Sequence, residues 1–324
     1  MKKHIYIYSP SSAVRDKASF RRGIKHLKSL GHEVEIDLAA LAKFQRFAGD
    51  DESRLAAIER AAASGADVAL ITRGGYGLTR ILPNINYKTI AKAVDRGTKF
   101  VGLSDFTALQ LALLAKTGAV TWAGPALGED FGTDQIVDDI VQACFDDLLS
   151  GQGEGAGWLL PRASVAGATN SIAAGAFKMS TTAEYVIKNA TLWGGNLTVL
   201  NSLIGTPFFP KPETIKGGIL FIEDVGEHPY RVERFLTQLL HAGVLASQKA
   251  IVFGQFSNYR LVPGYDSGFN LNAVAERLQS CVKAHVLMGL PFGHVATKVL
   301  LPVGVKVTLA VDGKEALIVW GDQA

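Results

Sequence analysis

A serine and an aspartate stand where the apolar run FVGL (100–103) gives way to FTALQLALLA (106–115). The first piece reads as a strand and the second as an amphipathic helix, so Ser104 and Asp105 lie on a first helical turn at the carboxyl end of a strand. That is where open α/β sheets bind ligands. The N–H groups of a first turn lack helical partners. Ser104 can then attack a carbonyl while the N–H of Asp105 faces the resulting oxyanion, the logic of a nucleophile elbow. Gly102 is present but the second glycine of G-x-S-x-G is not, and Ser or Asp at a helix start equally suits an N-cap. A similar loop, RGGYGLTRILP (73–83), follows DVALIT (67–72). Gly74, Gly75 and Gly77 permit close backbone approach, so Gly75 can offer a second oxyanion N–H, with Arg73 or Arg80 free to meet a carboxylate. A tight turn needing positive φ accounts for the same glycines.

Hydrolysis by serine needs a base, and the chain has seven histidines. His4, His26, His32 and His241 lie within strand or helix patterns, and His228 and His285 lack an obvious loop partner. His294, in GLPFGHVATK (289–298), follows an irregular turn marked by Pro291 and Gly293, which can aim an imidazole outward. The orienting acid is sought at the end of GGILFIED (217–224), where Glu223 and Asp224 close an otherwise apolar strand. Carboxylates there need hydrogen-bonded partners. Glu223 would fix the His294 tautomer and stabilise imidazolium; the alternative is that the pair caps the next turn. The order Ser, Glu, His is allowed, because triads are defined by roles in space.

These residues need elements to hold them. HIYIYSP, HEVEID, ADVALIT and KFVGLSD alternate with helical FRRGIKHLKSLG, RLAAIERAAASG and YKTIAKAVDRG. That βαβα order, with strands apolar on both faces, predicts a doubly wound α/β domain with a parallel sheet over residues 1–148. Residues 149–190, rich in Gly, Ala, Ser and Thr, read as a crossover. Residues 191–324 mix strands (GGILFIED, KAIVFGQF, VKVTLAVDG, EALIVW) with two helices (YRVERFLTQLLHAG, LNAVAERLQSCVKA), which predicts a mixed α+β domain carrying Glu223 and His294.

Composition limits the function. The 324 residues are 48% hydrophobic and 19% charged, with 33 basic and 30 acidic residues interspersed. No Lys/Arg block tracks phosphates, so nucleic acid is not expected as a partner. Cys144 and Cys281 lie among apolar neighbours without metal-ligand spacing, so buried, reduced thiols and neither metal nor cofactor are expected. MKKHIYIYSPSS has about four apolar residues before Ser-Pro, short of a secretory core of roughly 7–15. A cytoplasmic location and no membrane segment follow as expectations.

Seven stretches together resemble one family: FAGDDESR (47–54), RGGYGLTRILPNINY (73–87), VGLSDFTALQLALL (101–114), WAGP (122–125), LWGGNLTVLNSLIGTP (192–207), FIEDVGEHPYRVERFLTQLLHAGVL (221–245) and GLPFGHVATKVLLPVG (289–304). In this order they resemble the LD-carboxypeptidases, the muramoyltetrapeptide carboxypeptidases of peptidoglycan recycling. The resemblance runs from about Ser9 to Gly304. It implies a serine peptidase that removes the terminal D-Ala of a murein tetrapeptide from meso-diaminopimelate. It also implies Ser104 as nucleophile, Glu223 and His294 as its partners, and the N–H groups of Gly75 and Asp105 as oxyanion hole. A flavodoxin-like N-terminal domain, a barrel-like C-terminal domain and a homodimer are implied as well. YSPSS (8–12) departs from the family's PSG turn, and the crossover is longer and richer in Gly and Ala. Arg73, Arg231, Arg234 and Lys298 are candidate anchors for a substrate carboxylate. Two other readings stand beside this one. A microcin-immunity-type peptidase would share the triad but cleave peptidyl- or aminoacyl-nucleotides, and a non-catalytic protein would grip an anion or peptide at helix N-termini.

Overall fold

The structure, a computed structural model, describes residues 2–161 and 184–321. The described residues fall into two compact units, one within Met1–Gly153, Gly205–Pro210 and Ala296–Gly304, the other within Glu154–Ile204, Lys211–Val295 and Val305–Ala324. Both are mixed α/β, each built on a mixed sheet.

The first unit holds β1 (His4–Tyr8), β2 (Glu33–Ile36), β3 (Val68–Ile71), β4 (Lys99–Gly102), β5 (Thr121–Ala123) and β11 (Leu301–Val303). They form one sheet in the order β11-β5-β4-β3-β1-β2. All neighbours are parallel except β11, which pairs antiparallel with β5. Central β3 is buried along its whole length, while edge strand β2 is largely exposed, which is why only the central strands read as unbroken apolar runs. The three expected helices form over Lys17–Ser29, Asp51–Ala63 and Tyr87–Asp95. Asp50 caps the second, accepting the Ser53 N–H at 2.8 Å.

The second unit holds β6 (Gly155–Leu159), β7 (Tyr185–Asn196), β8 (Ile219–Val225), β9 (Ala250–Ser257), β10 (His285–Leu287), β12 (Lys306–Asp312) and β13 (Glu315–Val319), in the order β10-β9-β8-β7-β12-β13-β6. The run from β7 to β10 is parallel and the run from β7 to β6 is antiparallel. Among the described residues no ladder joins β10 to β6, so the expected barrel is an open sheet. The Trp158 indole N–H instead reaches the Met288 carbonyl at 3.1 Å. The helices Pro229–His241 and Leu271–Cys281 lie where the sequence placed them.

Of the stretch read as a crossover, residues 155–159 form β6 and 185–190 begin β7, while 162–183 lie outside the described residues. Both cysteines are free, but neither is buried: Cys144 is half-buried and Cys281 exposed. Among the described residues no helix is long and apolar enough to cross a membrane.

Candidate functional site

In the first unit β4 ends at Gly102, where no side chain fits; a Cβ would lie 2.7 Å from Ile71 Cδ1 and from the Phe106 ring. Leu103 is still extended, and Ser104 then adopts φ 66 at the head of a short 3₁₀ turn, Ser104–Phe106, that runs into the helix Thr107–Thr117. An L-residue in that region is strained, and such strain collects at functional sites. The first-turn placement expected for Ser104 is therefore observed, with a sharper turn than an N-cap requires.

The glycine loop packs directly on this turn. A Cβ on Gly74 would lie 2.6 Å from Ser104 Cβ, and one on Gly75, which has φ 108, would lie 2.3 Å from Ser12 Oγ. Among the described residues the N–H groups of Gly75 and Asp105 meet no acceptor, so both remain available as donors. The loop is tied down by groups the sequence did not mark. Asp105 is 2% exposed; its carboxylate accepts the Leu78 N–H at 2.9 Å and the Ser11 hydroxyl. Burial pushes its pKa up, while the bonds from Ser11 and Leu78 oppose that rise. Ser12 Oγ accepts the Tyr76 N–H at 3.0 Å, and fully buried Arg54 donates to the Gly77 carbonyl at 2.7 Å. YSPSS, which looked like a departure in loop shape, supplies two of these ties.

In the second unit the acid and the imidazole meet. Glu223 is wholly buried, and its Oε2 lies 2.7 Å from His294 Nδ1. Its other oxygen accepts from Asn196 Nδ2 at 3.2 Å. Asn196 is the register partner of Glu223 across the parallel β7–β8 pair, and the same Nδ2 also serves Asp224 at 2.9 Å. The two acids divide their work. Asp224 accepts the N–H and hydroxyl of Thr198 at 2.9 and 2.8 Å, so it secures the helix start that follows β7, and Glu223 is left to face the imidazole. Burial, and secondarily the charge on Glu223, raise the Asp224 pKa to about 6.

The His294 turn is held from both sides. Gln255 N–H donates to the Phe292 carbonyl at 2.7 Å, and Ser257 Oγ to the His294 carbonyl at 3.1 Å. A Cβ on Gly293, at φ 140, would lie 2.8 Å from the Gln255 carbonyl and 3.2 Å from Glu223 Oε2. Phe292 buries its ring edge-on against Phe221 at 5.3 Å, worth about 1.5–3 kcal/mol of burial per ring. A register shift between β8 and β9 falls at Glu223, the kind of bulge that re-aims a side chain beside a site.

The remaining candidates sort clearly. Lys298 is buried in an ion pair with Asp130, so it cannot anchor substrate. Arg80 is paired with Asp51 at 3.2 Å. Arg231 lies 3.5 Å from Glu227, and Arg234 stands over the Tyr230 ring. His228, which lacked a partner in the sequence, meets Asp266 at 3.0 Å. Among the described residues no group of three or more His, Cys, Asp or Glu side chains could hold a metal ion.

Similarity to known proteins extends over most of the chain. Residues 5–124 match the LD-carboxypeptidase N-terminal domain and residues 189–309 the LD-carboxypeptidase C-terminal domain. A probable murein peptide carboxypeptidase of Bacillus subtilis is 30% identical, covering 91% of this chain and 85% of its own. The crystal structure of muramoyltetrapeptide carboxypeptidase from Oxalobacter formigenes superposes with TM-score 0.82 at 37% identity, covering 99% of both chains. The microcin C7 self-immunity protein MccF of Escherichia coli is 27% identical, covering 96% of this chain and 90% of its own. The chain belongs to the LD-carboxypeptidase family and is a serine carboxypeptidase.

Proposed function

We propose that this carboxypeptidase releases the terminal D-Ala of murein tetrapeptides in peptidoglycan recycling, cutting the meso-diaminopimelate–D-Ala bond. The observation that carries the mechanism is the 2.7 Å pairing of His294 Nδ1 with wholly buried Glu223. With Nδ1–H held by the carboxylate, Nε2 carries the basic lone pair, and it takes the proton from Ser104 Oγ as that oxygen attacks the scissile carbonyl. The N–H groups of Gly75 and Asp105 receive the developing oxyanion. The imidazolium, stabilised by Glu223, protonates the leaving amine, and water then hydrolyses the acyl-enzyme by the same route. The murein substrate is supported by the Oxalobacter relative at 37% identity. We read the parallel order β2-β1-β3-β4-β5 as flavodoxin-like, and the protein as a cytoplasmic homodimer.

A second reading has its own support, since the chain aligns with MccF over 322 residues. Cleavage of a peptidyl- or aminoacyl-nucleotide is that alternative. One experiment separates the two: incubation with L-Ala-γ-D-Glu-meso-diaminopimelate-D-Ala, with its epimer at the scissile centre, and with a peptidyl-adenylate. A fixed nucleophile and two fixed donors define one face of attack, so only the first should release D-Ala, with the difference in kcat/KM. Cleavage of the adenylate with the tetrapeptide left intact would overturn the murein reading.

A further inference from the structure

A cavity of ≈ 520 Å³ in the first unit is lined by Ser12, Arg15, Lys43, Arg46 and Arg73 among others, and no acidic side chain lines it. Among the described residues none of its four cations has an ion pair within 4.0 Å. Arg15, Lys43 and Arg46 are exposed at its mouth, and Arg73 is half-buried inside it. The Nη1 of Arg73 is buried with no hydrogen-bond partner. Burial, then the neighbouring charges of Arg15 and Arg46, push the Arg73 pKa down, with Glu129 opposing. A guanidinium in that position is an unanswered donor fork, and a carboxylate answers it two bonds at a time.

The cavity lies beside the nucleophile. Ser104 packs against Gly74, whereas Ser12 Oγ and Arg73 Nη1 pack against Gly75, at 2.3 and 3.0 Å from where its Cβ would stand. Neighbouring Cα atoms are about 3.8 Å apart, and the α-carboxylate of a peptide's last residue lies about one residue beyond the scissile carbonyl. Ser104 and the unpartnered Arg73 Nη1 thus pack on adjacent residues of one loop. We propose that Arg73 binds the free α-carboxylate of the residue to be released, with Arg15, Lys43 and Arg46 drawing the anionic peptide in, so that this pocket restricts cleavage to the last bond. Arg73 is thereby a specificity-determining residue. The assignment rests on the murein reading for its substrate.

The test compares kcat/KM for the tetrapeptide and its C-terminal carboxamide in the wild-type enzyme and in Arg73→Ala, Arg73→Lys and Arg46→Ala. A hydrogen-bonded charge pair of this kind corresponds to about 10–100-fold. The wild type should prefer the free acid by that factor. Arg73→Ala should lose at least tenfold more on the acid than on the amide, chiefly in KM, with part regained in Arg73→Lys. Arg46→Ala, at an exposed position, should lose about threefold on the acid, and that loss should vanish in molar salt. Equal cleavage of acid and amide by the wild type, or equal losses on both in Arg73→Ala, overturns the pocket and leaves the murein reading standing. No release of D-Ala from the acid or of D-alaninamide from the amide overturns both.

Discussion

Glu223→Gln exchanges one oxygen for an NH₂ at nearly constant volume, and Asn196 dictates where that NH₂ points. Asn196 Oδ1 accepts the Val199 N–H at 3.1 Å as the cap of the following helix, which fixes its Nδ2 toward Glu223 and Asp224. The new amide therefore keeps its oxygen on Asn196 and turns its NH₂ to His294 Nδ1. A donor at that place makes Nδ1 the acceptor and moves the imidazole proton to Nε2, the atom proposed to take the Ser104 proton. The reversed amide would set one NH₂ against another in a buried site, and an unsatisfied donor there costs about 1–3 kcal/mol, or roughly 5–150-fold in the tautomer ratio. Loss of imidazolium stabilisation adds to this, for a total fall in kcat of about 10²–10⁴-fold by analogy with other triad acids. KM should change little. The assay is D-Ala release from the tetrapeptide, with Glu223→Gln compared to the double variant Glu223→Gln/Asn196→Ala. Removing the Asn196 amide lets the new side chain turn its oxygen to His294, so the double variant should be the faster of the two. A double variant no faster than the single one refutes the tautomer argument, and a wild-type rate in Glu223→Gln refutes the role of Glu223 itself.

Ser104→Ala should abolish turnover with the fold intact, whereas Ser104→Gly should abolish it and also stabilise the protein. Relief of the φ 66 conformation, less the added unfolded-state freedom of glycine, leaves about 0.5–1 kcal/mol of gain, read as a higher Tm by calorimetry; a lower Tm contradicts the strain. Asp224 should titrate near pH 6, followed by its carboxyl ¹³C shift. Its raised pKa means that its contribution to stability is complete below about pH 4, the unfolded value, and is lost as pH rises through about 6, by roughly 3 kcal/mol at most. In Glu223→Gln the midpoint should fall, because one cause of the rise is gone; an unmoved midpoint removes Glu223 from the account.

What the sequence displayed was whatever local chemistry marks. Continuous apolar runs identified β3, β4 and β8, and an acid at the end of such a run singled out Glu223, since a carboxylate there has to find a partner. Pro291 and Gly293 marked the irregular turn that carries His294. Other features depend on neighbours distant in the chain. Asn196 gains its role from the parallel register of β7 on β8, which no periodicity reports. Ser11 and Ser12 are small polar residues in a loop until Asp105 and Tyr76 come against them. Lys298 looked available as an anchor because Asp130, its partner, is 168 positions away. Residues 155–159 resembled linker because alternation of Gly and Ala with one Trp gives a weak strand signal, yet β13 pairs with all five of them.

Asp105 shows how the two proposed oxyanion donors come to act together. Its own N–H is one donor, and its buried carboxylate holds Leu78 N–H and the Ser11 hydroxyl, while Ser12, next in the chain, holds Tyr76 N–H. Gly75, the other donor, sits between Ser12 and the nucleophile turn with no room for a side chain. The distance between the donors is thus set by a polar cluster at the loop's base rather than by the mobile ends of long side chains. That cluster has a thermodynamic cost, seen in the upward push that burial gives the Asp105 carboxyl, and the hydrogen bonds of Ser11 and Leu78 offset it. Donors fixed in this way need no reorganisation when charge develops on the substrate, which is the condition under which they lower a barrier most.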